Sequence, residues 1–118
     1  MSNEDLKEKT KRFAVEIIKF VETLPKNQIT NVIGRQILRS GTSVGANYRS
    51  ACRARSRADF ISKMGIVEEE SDETLYWLEL LLVTGVVKYN QVECLMNEAN
   101  DIIAMVVKSI KTARKSGR

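Results

Sequence analysis

Apolar residues recur along this chain three and four positions apart through four successive segments, with polar and charged residues between them. That period predicts amphipathic helices. In the first, Glu4 to Leu24, the stripe is Leu6, Phe13, Ile17, Phe20 and Leu24, widened by Ala14, Ile18 and Val21. The sole proline, Pro25, disfavours helix in the residue before it, so LPKNQ reads as a tight connection, with Asn27 or Thr30 capping the second helix. The second segment, Ile29 to Arg57, has Ile33, Ile37, Gly41, Val44, Tyr48 and Cys52 on its seam. RARSRAD is then a polar connection or a continued helix end, with Ser56 as a cap and Asp59 suited to a first turn. The third helix is expected from about Asp59 to Val83, along Phe60, Met64, Val67, Ser71, Thr74, Leu78 and Leu81, and Gly85 should end it. The fourth, Gln91 to about Lys111, turns Val92, Leu95, Met96, Ala99, Ile102, Ile103, Val106 and Ile110 inward, and the basic stretch 112–118 is expected to fray.

Four helices joined by short links predict an all-α fold: one domain spanning 1–118, an antiparallel up-down-up-down four-helix bundle. The second segment carries Gly34, Gly41 and Gly45, and each glycine costs about 1 kcal/mol relative to alanine inside a helix. Gly41 and Gly45, with Ser40, Ser43 and Ala46 nearby, would admit a close helix neighbour from this chain or from another subunit. Leu38 points away from its own seam. These three residues are therefore the candidate oligomer contact, and the competing reading of the glycines is a break near RSGTSVG.

The chain has 118 residues, 43% of them hydrophobic and 29% charged, which suits one small domain. Its apolar runs stop short of the roughly 18 residues a membrane span needs, and MSNEDLKEKTKRF lacks a signal-peptide core, so a cytoplasmic protein is expected. Cys52 and Cys94 have neither a CxxC partner nor a histidine beside them, and both are expected to be reduced packing residues. There is no histidine at all. That removes Ser-His and Cys-His nucleophiles, HExxH zinc sites and Glu-x-x-His di-iron ligands.

Charge is distributed unevenly behind a net +4. Residues 28–63 hold seven basic groups against Asp59 alone, and residues 64–90 hold six acidic groups against Lys88. Opposite charge on consecutive helices favours their pairing, so some arginines should serve the acidic run. Arg35, Arg39, Arg49, Arg53, Arg55 and Arg57 exceed what one neighbouring helix neutralises at every position, and they are the candidate nucleic-acid contacts. An enzyme has one place to reside: Glu70-x-x-Glu73 with Glu98-x-x-Asp101 has the spacing of the Mg²⁺-binding carboxylates in all-α nucleoside triphosphate pyrophosphohydrolases. The simpler reading is a solvated or arginine-paired acidic face, with no catalytic residue, metal or cofactor. No phosphate-binding glycine loop is present, since Gly41-x-x-x-Gly45 lacks the following Lys-Ser/Thr and a preceding strand.

Three stretches carry a family likeness: Gln36-Ile-Leu-Arg-Ser-x-x-Ser-Val-x-x-Asn47-Tyr48-Arg49, Arg53-Ala-Arg-Ser-x-Ala-Asp59-Phe60, and Glu73-Thr-Leu-Tyr-Trp-Leu-Glu-Leu80. Through them the chain resembles, over nearly its whole length, the bacterial four-helix bundle proteins of 23S rRNA intervening sequences, a family that includes the accessory variability determinant of diversity-generating retroelements. It departs from many relatives at Ser50, where they have glutamate. The resemblance implies a left-handed bundle assembled as a ring-shaped homopentamer. For the retroelement branch it also implies a basic surface that binds RNA or DNA and a reverse transcriptase as partner. The function expected is thus a non-enzymatic, oligomeric nucleic-acid-binding bundle. The alternatives are a purely structural or protein-interaction module and the Mg²⁺-dependent hydrolase.

Overall fold

The computed structural model describes residues 3–116 and contains four α-helices: α1 (Asn3–Glu22), α2 (Gln28–Cys52), α3 (Arg57–Val83) and α4 (Tyr89–Lys115). No strand occurs among the described residues. Each helix packs on the next in sequence, α1 also closes against α4, and the result is an elongated body of 51 × 21 × 20 Å. The links are short, so each helix turns back along the one before it, and between α1 and α2 the contacts run in opposite senses; single contacts mark where the other pairs meet. Gly34 lies by Leu24 and Val21 while Gly45 lies by Thr10; Arg39 and Ser40 meet Glu70 and Thr74; Lys9 meets Glu98.

Local chemistry sets the ends. Asn27 is extended and its Oδ1 accepts from Thr30 N at 3.0 Å, opening α2; Ser56 does the same for Asp59 N at 3.1 Å, opening α3. At the end of α3, Val86 N donates to Leu81 O at 3.0 Å and Gly85 N to Leu82 O at 3.1 Å, with Gly85 at φ +78°. This Schellman turn requires the left-handed conformation that glycine adopts without a Cβ clash. α4 opens with Lys88 N donating to Gln91 Oε1 at 2.8 Å.

Two expectations about helix ends need correction. α2 stops at Cys52, not near Arg57, because Ser56 starts a new helix and leaves only 53–56 for the turn. α4 continues to Lys115 with Ser116 as its C-cap, so of the stretch expected to fray, 112–115 is helical and 117–118 lie outside the described residues. No break occurs at RSGTSVG: α2 runs unbroken through all three glycines.

The core runs the length of the bundle through Phe13, Ile17, Ile37, Val44, Tyr48, Met64, Val67, Leu78, Leu81, Ile102 and Val106, all fully buried. Its polar centre is satisfied internally. Thr74 Oγ1 donates to Ser40 Oγ at 2.7 Å, Ser40 Oγ donates to Gln36 O at 2.8 Å, and Ser71 Oγ donates to Val67 O at 2.8 Å. Gly41 lets α1 come close: a Cβ there would sit 2.8 Å from Ile17 Cγ2, and one at Gly45 3.3 Å from Thr10 O. The neighbour these glycines admit is therefore α1 of the same chain, and the buried Gly41 is not available to a second subunit. Leu38 is 38% exposed, at the rim of a hollow between α1 and α2.

Candidate nucleic-acid interface

The six candidate arginines share one flank of α2 and its following turn in the sequence, but the fold divides them. At 1.5 Å of rise per residue, Arg35 and Arg53 are about 27 Å apart along the helix. Arg35 lies near the far end, by the α1–α2 hollow with Lys26 and Gly34. Arg39 sits mid-bundle and is taken up by the acidic centre of α3. Its Nη1 donates to Glu70 Oε1 at 3.2 Å, its Nη2 to Glu73 Oε2, and its Nε to Gln36 Oε1 at 3.2 Å. Glu73 also accepts from Trp77 Nε1 at 3.0 Å. That indole hydrogen bond and then Arg39 hold the Glu73 carboxyl below its usual range, while Glu73 in turn raises the Arg39 pKa.

The remaining arginines gather where α2 ends and α3 begins. Arg49, Arg53, Arg55 and Lys63 surround a shallow depression of about 480 Å³ with Ala46, Ser50 and Asp59. Asp59 is the lone counter-charge there, already engaged by Lys63 Nζ at 3.2 Å and by Arg55 N at 3.4 Å. Arg49, Arg53 and Arg55 are exposed, as is Arg57 in the first turn of α3. The antiparallel order brings the last turns of α4 to the same end, adding the exposed Lys108, Lys111, Arg114 and Lys115. Lys63 and Lys108 are not among the sequence candidates, whereas the basic stretch from Lys111 is expected from the sequence to add to such a surface. They lie on different helices from the arginine stripe, and only the topology joins them.

The four carboxylates with pyrophosphohydrolase-like spacing are not brought together. Glu70 and Glu73 face Arg39 between α2 and α3. Glu98 accepts from Lys9 Nζ at 2.8 Å, and Asp101 lies 3.7 Å from the same amine, between α1 and α4. Among the described residues no group of three carboxylates or cysteines converges in a metal-holding arrangement. Cys52 and Cys94 are both exposed thiols, not packing residues. The seam drifts after Tyr48, so Ala51 and not Cys52 fills the core, and Cys94 lies in a groove between α1 and α4. No helix is long and apolar enough to cross a membrane among the described residues.

Comparison with known proteins agrees with this architecture. Residues 3–108 match the family model described as 23S rRNA-intervening sequence protein. A solved structure from Bacteroides thetaiotaomicron, a protein of unknown function from the S23 ribosomal protein family, is 43% identical. It covers 94% of this chain and 99% of its own length, with a TM-score of 0.88. No curated protein matches the chain.

Proposed function

The chain belongs to the 23S rRNA-intervening sequence protein family, and from that premise we propose that it is a non-enzymatic, homo-oligomeric protein that binds RNA or DNA through the basic end of its bundle. The observation that carries this is the depression ringed by Arg49, Arg53, Arg55 and Lys63, whose single acid is already engaged. The exposed guanidinium groups of Arg49, Arg53 and Arg55, which make no ion pair among the described residues, suit phosphate oxygens, and guanidinium forks bind them bidentately. Nothing in the ring resembles a base-reading surface. Contacts would go to the backbone, positioning the nucleic acid without selecting its sequence. Repetition of the ring around an oligomer would raise apparent affinity by multivalency without new contacts.

A titration of labelled single-stranded and duplex RNA and DNA at several salt concentrations tests the reading. Binding should be micromolar at low salt and indifferent to sequence, and weaken with a log-log slope of about 0.7 to 0.9 per phosphate neutralised. Arg53→Glu with Arg55→Glu should abolish it, whereas Arg39→Gln should leave it nearly unchanged because Arg39 is occupied by Glu70 and Glu73. Absence of binding at low salt by the folded protein would defeat the proposal.

A further inference from the structure

Three guanidinium groups at the basic end crowd more charge into one depression than the interior of a nucleic-acid strand supplies. Arg49 and Arg53 lie four residues apart on α2, Arg55 follows in the turn, and all three line the depression of about 480 Å³. Lys63 and Asp59, also on its wall, offset each other through their ion pair at 3.2 Å. The three arginines make no ion pair among the described residues, so their charge is left for a ligand. Four residues of helix rise about 6 Å, and over that length one duplex strand, with a charge every 3.4 Å or so, presents about two negative charges. A terminal phosphomonoester carries close to two by itself at neutral pH, as a phosphorylated side chain does, and the neighbouring diester adds a third. The end of a strand therefore matches the three arginines where its interior does not.

The surroundings also give such a strand a direction. On the α1 side the depression shares Ala46 and Arg49 with a second hollow, of about 220 Å³, bordered by Lys7 and Lys11. Neither lysine makes an ion pair among the described residues. On the α3 side the flank that carries Lys63 continues to Glu70 and Glu73, two carboxylates against the single Arg39 they hold. Along the side of the bundle a polyanion is drawn toward α1 and repelled from the α2–α3 seam.

We propose that the depression of Arg49, Arg53 and Arg55 binds the terminal phosphomonoester of a nucleic-acid strand, whose following phosphates run between α1 and α2 past Lys11 and Lys7. This names the group bound at the basic end and rests on the reading above. Free mononucleotides carry the same phosphomonoester, but they lack the following phosphates and so forgo the lysines.

The test uses single-stranded oligonucleotides of one sequence that end in a 5′-phosphate, a 3′-phosphate or hydroxyls alone, titrated against the wild-type protein at fixed salt. A phosphate at one of the two ends should tighten binding at least tenfold over the hydroxyl-ended strand. Lowering the pH from about 7 to about 5.5 should shrink that advantage roughly threefold, because the monoester loses its second charge with a pKa near 6. The protein has no histidine, so no side chain of ordinary pKa titrates in that window. Arg53→Gln with Arg55→Gln, at exposed positions, should stay helical by circular dichroism and bring the advantage below twofold. Lys7→Gln with Lys11→Gln should weaken all three strands alike and preserve it. If the arginine variant does not fold, the pH comparison on wild type still decides. Equal wild-type affinity for all three strands, or an advantage indifferent to pH, would overturn the assignment and leave the reading above standing. An advantage that survives in the folded arginine variant would overturn the depression as its site. A mononucleotide that competes as well as the phosphate-ended strand would overturn the strand end as the source. No binding of any strand at low salt would defeat both this assignment and the reading it rests on.

Discussion

Glycine illustrates how one residue type acts differently according to what surrounds it. At Gly41 the Ile17 side chain occupies the space a Cβ would need. Gly41→Ala should therefore destabilise the bundle by about 1 to 3 kcal/mol through overpacking, despite alanine's better helix propensity. At Gly65, within α3, nothing lies within 4 Å of the Cβ position, so Gly65→Ala should stabilise by up to about 1 kcal/mol and raise the melting temperature by several degrees. Thermal melts of the two variants give opposite signs if the helix contact is as described, and the same sign if α1 is free to shift. Glu73 supplies a second test at this scale. Its carboxyl is held below the usual range by Trp77 and Arg39, so the folded state binds its proton less readily than the unfolded chain. The resulting stability is complete above the ordinary carboxylate range and is lost as pH falls through it toward the depressed folded value. Melting temperature should drop over that acid window, and Glu73→Gln should flatten the drop. An unchanged acid profile in the variant would mean that the Trp77–Glu73–Arg39 contact adds no stability.

Among the elements, α2 and α3 form the pair with the most polar seam, and the structure explains why hydroxyls are tolerated there. Ser40 and Thr74 face each other across it and form one hydrogen-bonded chain that ends on the Gln36 carbonyl. Removing one partner costs the other its bond across the seam but leaves it a carbonyl of its own helix, Gln36 O for Ser40 and Glu70 O for Thr74, each at 2.8 Å, whereas removing both leaves two apolar groups in contact. Ser40→Ala and Thr74→Val should each cost about 0.5 to 1.5 kcal/mol, the net worth of one hydrogen bond, and the double variant should cost less than their sum. Strict additivity in chemical denaturation would mean that the two hydroxyls act independently. Helix identities and starts were legible in the sequence because Pro25, Asn27, Ser56 and Gly85 act on their immediate neighbours. The end of α2 was not, since nothing in RARS breaks a helix by itself and the stop depends on Ser56 beginning another. The candidate site was half legible for the same reason. Spacing identifies Arg49, Arg53 and Arg55 as exposed cations, but Arg39 is withdrawn by Glu70 and Glu73, and Lys63 is added, by contacts between helices that spacing along one chain does not encode.

Viewed as a whole molecule, the bundle is held unevenly. α3 is packed along its length against both α2 and α4, while α1 rests chiefly on α2 and has its smallest interface with α4. A groove of about 400 Å³ opens between α1 and α4 over Phe13, Phe20 and Leu95, and the ion pair from Lys9 to Glu98 bridges the same two helices. Releasing α1 exposes the groove floor and the Gly41 contact but leaves the α2–α3 and α3–α4 seams closed, so it costs less than unfolding the whole chain. Native-state hydrogen exchange at one fixed protein concentration should show the slowest α1 amides opening at a lower free energy than the slowest amides of α3. Lys9→Gln should accelerate exchange in α1, because the half-buried Glu98 then loses its closest cation, and should leave the slowest α3 amides unchanged relative to global stability. If the slowest amides of α1 and α3 instead exchange at one common free energy, α1 is an integral part of a single cooperative unit and the weak α1–α4 seam has no consequence for opening.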